Sequence, residues 1–311
     1  MWLLFSIALG IDPAGVTVSG VSSGAAMALQ LEISFSSTIL GSALSAGPPY
    51  YCAQGSEGSV LACTQSPAQI PIPSLERAMQ DFATSGAIDG LGNLTSHSVL
   101  LYSGTLDTVV LPGVVQASEQ ILRAMGVQTV QTEYSVASEH CWPTEAWGNQ
   151  CPILGEPFIN NCHYDLAGKA LSLFYGPLKP SGSPSAGNIR LLDQNTFAPG
   201  GDAEAISMDH YAYAYMPSQC QGSMNNCKLH LSFHGCLQSS SHIGTDFVEN
   251  AGFNAWAETN SIVVVYPQTL PTAVSPEGCW DWWGYTGSHY ADQGGPQMET
   301  INNMIQYFLN L

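Results

Sequence analysis

Residues 15–26 read Gly15-Val16-Thr17-Val18-Ser19-Gly20-Val21-Ser22-Ser23-Gly24-Ala25-Ala26. A β-branched run leads through a Gly-x-Ser-x-Gly pattern directly into an alanine-rich helical segment. This order predicts a nucleophile elbow, a tight strand-to-helix turn that holds a serine hydroxyl above a sheet. Gly20 and Gly24 are expected where a side chain would collide with a neighbouring strand or helix. Ser22 is therefore the candidate nucleophile. The alternative is an ordinary strand-to-helix turn rich in glycine and serine.

The composition limits the kind of protein and its partners. The 311 residues are 45% hydrophobic, and 6 Lys+Arg against 24 Asp+Glu give a formal charge of −18. This length suits one large α/β domain or two small ones. A strongly acidic chain repels nucleic acid and anionic membranes, so neither is an expected partner. Because no cysteine or histidine cluster has zinc-site spacing, we expect no metal or other cofactor. We also expect a monomer.

Alternating strand and helix patterns predict an α/β fold with a mainly parallel sheet covered by helices on both faces. The clearest strands are Ser98–Tyr102, 130–136, Lys228–Phe233 and Ile262–Tyr266, and the clearest helices are 114–125, 247–258 and 298–308. The stretch 177–187, rich in proline, glycine and serine, is expected to be a surface loop, since motifs of one site occur on both sides of it. We therefore expect a single catalytic domain over residues 16–311.

Residues 1–15 form an apolar N-terminal stub in this division of the chain. The first ten residues carry no basic segment and are too short to span a bilayer. Three alternatives are open for them: the remnant of an export signal, a wrongly assigned start of the sequence, or a buried first strand.

A serine at an elbow needs a base and a carboxylate that orients the base. In elbow hydrolases these partners follow in the order Ser, Asp, His, each on a loop after a strand. Asp107 follows the strand Ser98–Tyr102, and His140 follows the next strand. The alternatives are a turn or helix-capping aspartate and a surface-loop histidine. Their positions and order favour the catalytic interpretation.

Two backbone amides must stabilise the oxyanion. One is expected from Ser23, directly after the nucleophile, and the other from a His-Gly loop. His234-Gly235-Cys236 follows the strand Lys228–Phe233, yet it comes after the elbow, whereas such loops usually precede it. A circular permutation of the same sheet explains this order. The alternative is a coincidental turn.

In this permuted order the chain resembles the fungal extracellular polyhydroxybutyrate depolymerases with a single domain. The resemblance runs from about residue 16 to the C-terminus and rests on Gly20-Val21-Ser22-Ser23-Gly24, Ser103-Gly104 with Asp107, His140, His234-Gly235-Cys236-Leu237-Gln238, and Gly278-Cys279-Trp280-Asp281-Trp282. It implies a circularly permuted α/β-hydrolase fold with the triad Ser22, Asp107 and His140. It further implies an oxyanion hole from the amides of Ser23 and Cys236, and a substrate contact at Trp282. Cys141 departs from the family pattern as an extra cysteine.

The nine cysteines indicate disulfides and hence a secreted protein. Closely spaced cysteines predict three pairs: Cys52–Cys63, Cys151–Cys162 and Cys220–Cys227. Of the remaining three, Cys236 and Cys279 border elements of the site and are expected to pair, which leaves Cys141 as a lone thiol. A Cys141–Cys236 bridge is the alternative.

The segment Gly278–Tyr285 is the densest aromatic stretch, and an exposed aromatic patch there would suit an apolar polyester. The alternative is core packing, and we expect at least one of its three tryptophans to be buried. The expected function is hydrolysis of a short-chain polyhydroxyalkanoate through an acyl-enzyme on Ser22. One alternative is a feruloyl or acetyl esterase that acts on plant polysaccharide. A second is a catalytically silent secreted binding module.

Overall fold

The computed structural model describes residues 11–12, 15–224 and 226–311. The expected N-terminal stub lies almost wholly outside these residues. Eleven strands are present in the described part of the chain. In chain order they are β1 (Val16–Val21), β2 (Gly41–Ser45), β3 (Ser98–Tyr102), β4 (Thr129–Glu133), β5 (Trp142–Thr144), β6 (Asn149–Gln150), β7 (Ile159–Asn161), β8 (Ile189–Asp193), β9 (Tyr211–Tyr215), β10 (Lys228–Phe233) and β11 (Ile262–Tyr266).

The α-helices of the described residues separate most of these strands. They are α1 (Ser23–Ser34), α2 (Val60–Gln65), α3 (Ile72–Ser85), α4 (Pro112–Ala124), α5 (Leu166–Tyr175), α6 (Ser240–Ile243), α7 (Asp246–Asn250), α8 (Phe253–Asn260) and α9 (Pro296–Leu309). No helix among the described residues is long and apolar enough to cross a bilayer.

Eight strands form one sheet in the order β4-β3-β2-β1-β10-β11-β9-β8. The first six are parallel to their neighbours, and β9 and β8 complete the sheet as antiparallel strands. This confirms the predicted α/β class with a mainly parallel sheet.

Strand β1 lies in the middle of the sheet between β2 and β10. Gly20 pairs with Phe233, so the turn after β1 and the loop after β10 meet at the same edge of the sheet. Two segments that are far apart in the sequence therefore become neighbours, as the permuted order requires.

Both faces of the sheet are covered, and the period of two along a strand sends alternate side chains to opposite faces. In β3, Val99 and Leu101 pack with α1, α3, α4 and α9, whereas Leu100 and Tyr102 pack with α5, α7 and α8. The fully apolar strand β11 divides between the two cores in the same way. Apolar burial on both faces therefore holds the central strands in place.

A small second sheet, in the order β5-β7-β6, follows the His140 loop. Trp142 anchors it, because its indole N–H donates to the carbonyl of Ala251 at 2.8 Å and its ring contacts Phe253 with centroids 5.4 Å apart. The sequence pattern did not predict this sheet.

The predicted helix 247–258 is wrong as a single element. The structure has α7 and α8 instead, separated by Gly252 with φ of 94°. A positive φ is incompatible with a continuous α-helix, and glycine adopts it at little cost. Segment 177–187 lies largely exposed on the surface, as expected for a loop.

Candidate active site

The turn after β1 has the geometry of a nucleophile elbow. Ser22 lies between β1 and α1 with φ 59° and ψ −123°, a strained conformation for a residue with a side chain. Its amide donates to the carbonyl of Ser45 at 2.9 Å, and its carbonyl accepts from the amide of Ala26 at 3.1 Å. These bonds fix the turn on both sides and leave the half-buried hydroxyl at the carboxyl edge of the sheet.

The two glycines of the elbow are required by close backbone contacts. A Cβ on Gly20 would lie 2.2 Å from the carbonyl oxygen of Gly24. A Cβ on Gly24 would lie 2.3 Å from the carbonyl oxygens of both Phe233 and His234. Since real Cβ atoms do not approach backbone this closely, only glycine lets α1 pack against β1 and β10 here.

Asp107 and His140 form a buried pair at the same edge. Asp107 Oδ2 lies 2.9 Å from His140 Nδ1, and the residues are 3% and 5% exposed. Asp107 Oδ1 accepts from the amides of Val109 at 2.9 Å and Val110 at 2.8 Å. The two backbone amides hold the carboxylate on one side, and the imidazole lies on the other. The imidazole is thereby oriented so that Nδ1–H donates to Asp107 and Nε2 is available as a base.

Glu139 joins the loops that carry this pair. Its carboxylate accepts from the Thr108 amide at 3.1 Å, from the Thr108 hydroxyl at 2.7 Å and from the His140 amide at 2.8 Å. Burial by itself raises the pKa of Glu139, but these hydrogen bonds outweigh it and hold the pKa below its ordinary value. Glu139 was not predicted from the sequence, because an acidic residue beside a histidine carries no distinctive pattern.

Ser22 and His140 line the same cavity of about 320 Å³. Its walls also include Val109, Leu154 and Phe158. No hydrogen bond joins the two side chains in the described part of the chain, and such bonds commonly tighten only when substrate binds. The cavity therefore brings the predicted nucleophile and the predicted base to one chamber.

The loop after β10 presents an amide beside Ser22. A Cβ on Gly235 would lie 3.1 Å from Ser22 Cβ, so the two segments are in direct contact. Gly235 donates its own amide to Gln238 Oε1 at 2.7 Å. Among the described residues, none accepts a hydrogen bond from the amide of Cys236 or from that of Ser23, the first residue of α1. Both donors remain available to a ligand.

His234 supports this loop as a neutral imidazole. It is fully buried, and burial lowers its pKa to about 4. Its Nδ1 contacts the Gly235 carbonyl at 2.7 Å, and its Nε2 accepts from the Thr269 amide at 3.2 Å. The amide donor requires an unprotonated Nε2, so Nδ1 carries the proton.

Gln238 connects the loop after β10, the predicted oxyanion loop (residues 234–238), to the segment directly before β7. Its Nε2 donates to the carbonyls of Pro157 at 2.8 Å and Phe158 at 3.1 Å, while its Oε1 holds Gly235. Phe158 lines the cavity that contains Ser22. One amide side chain therefore fixes two walls of the same cavity.

The structure contains four disulfides, Cys52–Cys63, Cys151–Cys162, Cys220–Cys227 and Cys236–Cys279. The last of these joins the oxyanion loop to the aromatic segment. Cys141 is a free, buried cysteine, and burial raises the pKa of its thiol to about 12. An un-ionised buried thiol is a poor nucleophile.

The tryptophan segment lines a second cavity of about 270 Å³ that also reaches Ser22 and Ser23. Its tryptophans do not form an exposed patch, and the expectation that at least one of them is buried is confirmed. Trp280 is fully buried and donates its indole N–H to the His234 carbonyl. Trp282 is only 7% exposed and lines the cavity together with the half-buried Trp283. The apolar area of Trp280 packs in the core instead of facing solvent.

Asp281 organises this segment. Its Oδ1 accepts the amides of Trp283, Gly284 and Tyr285 at 2.7–3.2 Å, and its Oδ2 accepts the Thr286 amide and hydroxyl, both at 2.7 Å. Burial raises its pKa, and the hydrogen bonds oppose that effect. The carboxylate thus shapes the loop in which Trp282 and Trp283 lie.

One group of described side chains comes close enough to ligate a metal ion, namely Cys236, Glu277 and Cys279. Both sulfurs are joined in a disulfide, and a disulfide supplies no thiolate ligand. This group is therefore unsuited to hold a metal.

The chain is similar to known proteins over nearly its whole length. No family model matches the chain. A poly(3-hydroxybutyrate) depolymerase of Delftia acidovorans is 39% identical over 305 residues, which cover 96% of this chain and 60% of the relative, so the chain spans about three-fifths of that relative's length. A polyhydroxybutyrate depolymerase of Talaromyces funiculosus is 33% identical over 319 residues, with 97% of this chain and 92% of the relative covered.

Two solved structures share the whole fold. The crystal structure of a PHB depolymerase from Penicillium funiculosum matches with a TM-score of 0.88 and 32% identity, covering 96% of this chain and 97% of that one. A PHB depolymerase with a serine-to-alanine substitution, complexed with an R3HB trimer, matches with the same TM-score of 0.88 and covers 97% of this chain and 98% of that one. Similarity of sequence and fold over nearly the whole chain shows that the protein belongs to the polyhydroxybutyrate depolymerase family.

Proposed function

We propose that this protein is a serine esterase that hydrolyses ester bonds of short-chain polyhydroxyalkanoates, such as poly(3-hydroxybutyrate), through an acyl-enzyme on Ser22. One observation carries the proposal: the elbow serine shares a cavity with the base of a buried His140–Asp107 pair, beside two unused amides. The relatives' names and the R3HB trimer bound by the solved neighbour support the substrate class.

The first half of the reaction forms the acyl-enzyme. His140 Nε2 takes the proton of Ser22 Oγ, which bonds to the ester carbonyl carbon, and the carbonyl oxygen becomes an oxyanion. The amides of Ser23 and Cys236 donate to that oxyanion, and Asp107 stabilises the imidazolium. The carbon–oxygen bond to the alcohol then breaks, and His140 gives its proton to the leaving oxygen.

The second half reverses these roles. His140 takes a proton from water, the resulting hydroxide bonds to the acyl carbon, and the same two amides stabilise the second oxyanion. The bond to Ser22 Oγ breaks, the serine regains its proton from His140, and a carboxylic acid leaves.

The surroundings of Ser22 suit an uncharged, apolar chain. Val109 and Leu154 line the cavity, and they are 36% and 45% exposed. Together with Trp282, these side chains offer apolar contact to the methyl and methylene groups of a polyester.

We infer that the protein is secreted, since four disulfides require an oxidising compartment. Residues 16–311 are proposed to act as a single catalytic domain and as a monomer. The −18 charge supports the absence of nucleic acid and anionic membranes among its partners.

The decisive experiment measures clearing of a turbid poly(3-hydroxybutyrate) suspension by the purified protein, with Ser22→Ala and Ser23→Ala as a matched pair. Ser22→Ala should lose activity by several orders of magnitude. Ser23→Ala keeps its amide and should stay active; it loses only the hydroxyl that accepts the Trp280 amide at 3.3 Å. An active Ser22→Ala and an inactive Ser23→Ala would overturn the assignment.

The alternative functions give different results. A feruloyl or acetyl esterase would leave the suspension turbid and hydrolyse soluble aryl or acetylated sugar esters. A catalytically silent binding module would hydrolyse neither and would not be labelled at Ser22 by an organophosphate.

A further inference from the structure

Glu277 lies between the two cavities that meet at Ser22. It lines both of them, as do Ser22 and Cys236. Its side chain is exposed, and a carboxylate oxygen lies within 4.8 Å of the sulfurs of Cys236 and Cys279. A negative charge therefore stands next to the residue whose amide is assigned to the oxyanion hole.

The backbone around Glu277 is firmly held. Its carbonyl accepts from the Leu237 amide at 2.8 Å. The next residue but one, Cys279, is joined to Cys236 by the disulfide. Gly278 has φ of 58°, a turn conformation that glycine adopts at little cost. The backbone from which the carboxylate projects is therefore held by the same contacts that hold the oxyanion loop.

No cation compensates this charge within the two cavities. None of their lining residues is a lysine or an arginine, and the other charged or titratable groups among them are Glu57 and His140. The six basic side chains of the chain are elsewhere: Arg77, Arg123, Lys169, Lys179, Arg190 and Lys228. An anionic ligand beside Ser22 thus meets repulsion without a counter-charge.

We propose that Glu277 determines specificity by charge: it disfavours ligands that carry a free carboxylate next to the reacting ester, and so directs hydrolysis to uncharged interior or esterified units. The proposal rests on the proposed function. Hydrolysis of a hydroxyacid polyester turns each cleaved ester into a carboxylic acid, which ionises at neutral pH. The same repulsion therefore favours departure of the acid product from the site.

The test compares two inhibitors of the hydrolysis of a soluble short-chain aryl ester: a trimer of 3-hydroxybutyrate with a free carboxylate, and its methyl ester. The wild type should require an about 3- to 10-fold higher concentration of the free acid for half-inhibition at low salt. Glu277→Gln should lower this ratio toward one, leaving the smaller repulsion from Glu57, which lines only one of the two cavities. The exposed Glu299 of α9 offers the matched control, since Glu299→Gln removes the same charge away from the site.

Salt provides a second measurement, since about 0.5 M salt screens exposed charges. It should reduce the ratio for the wild type and for Glu299→Gln, and change that of Glu277→Gln much less. A ratio unaffected by Glu277→Gln, or lowered equally by Glu299→Gln, overturns the proposal. If the ratio shifts as expected but the polymer suspension stays turbid, the charge selection stands and the proposed polyester activity fails.

Discussion

Thr108 donates both its backbone amide, at 3.1 Å, and its hydroxyl, at 2.7 Å, to the carboxylate of Glu139. Thr108 follows the proposed triad aspartate, and Glu139 precedes the proposed base. The contact therefore fixes the distance between the two loops whose side chains form the hydrogen bond from His140 to Asp107. Asp107 and His140 are thus connected a second time, through their sequence neighbours Thr108 and Glu139.

Glu139→Gln should weaken this connection, because an amide nitrogen cannot accept the bond now made by one carboxylate oxygen. We expect kcat to fall about 3- to 30-fold with KM little changed, and stability at neutral pH to fall by about 1–2 kcal/mol. Glu133 is the matched control: it also accepts an amide and a hydroxyl, both from Ser135, away from the site. An equal loss of kcat in Glu133→Gln would contradict the positioning role.

The stability difference should depend on pH. The folded pKa of Glu139 lies below its ordinary value of 4.5. Its ionised form therefore stabilises the fold above about pH 4.5, and this stabilisation is lost as pH falls through the folded pKa. Urea unfolding of the wild type and Glu139→Gln along a pH series should give curves that converge on the acid side. If the difference in unfolding free energy between the two proteins stayed constant below the ordinary pKa of 4.5, the ionised carboxylate would be excluded as its source.

Gly24→Ala should disrupt the junction between the elbow and the oxyanion loop. The added Cβ would lie 2.3 Å from two carbonyl oxygens at the end of β10, and backbone atoms must shift to make room. We expect a loss of about 1–3 kcal/mol or more in unfolding free energy, and a larger fractional loss of esterase activity. Gly92→Ala is the control, since nothing lies within 4 Å of its added Cβ. Unaltered activity in Gly24→Ala would contradict the contact.

Trp282→Phe should reduce clearing of polymer more than hydrolysis of a soluble aryl ester. The indole lines the cavity beside Ser22, and loss of part of its apolar face should weaken polymer binding by about 1 kcal/mol. Trp280→Phe serves as the comparison, because Trp280 is buried and bonded to the His234 carbonyl, and should affect both substrates alike. If Trp282→Phe lost equal activity on the polymer and on the soluble ester, Trp282 would have a structural role and no specific contact with the polymer.

Removal of the Cys236–Cys279 disulfide should lower the stability of the protein and also the activity of the molecules that remain folded. The 43-residue separation corresponds to about 4 kcal/mol in the chain-entropy model. The double variant Cys236→Ala/Cys279→Ala should therefore unfold earlier and, at temperatures where it is folded, have a lower kcat. Cys220→Ala/Cys227→Ala, which opens a separation of only 7 residues, should keep the kcat of the wild type while folded. If both variants kept the kcat of the wild type, the Cys236–Cys279 disulfide would have no role in positioning the oxyanion loop.

Much of the sheet was predictable because its strands have simple patterns. Strands β3, β10 and β11 have the bounds expected from their apolar runs. The small sheet was not predictable, since two- and three-residue strands carry no period. The break at Gly252 was missed because the helical pattern continues on both sides of a single glycine.

The parts of the site that local sequence motifs encode could be predicted. The elbow glycines and the loops with Asp107 and His140 follow recognisable strand ends. The supporting contacts of Glu139, Gln238 and Asp281 depend on where distant loops meet, which no local pattern records. The burial of Trp280 was likewise decided by tertiary packing, here against Phe233 and His234.

The position of β10 beside β1 also has a consequence for the timing of activity during synthesis. A growing polypeptide that has been translated up to β9 already contains Ser22, Asp107 and His140. It has no Cys236 amide, and one edge of the nucleophile strand still lacks the partner that pairs with it from Val16 to Gly20. We therefore expect the nascent chain to remain hydrolytically inactive until β10 emerges and inserts next to β1, so that chain order itself delays the enzyme until most of the sheet has been made.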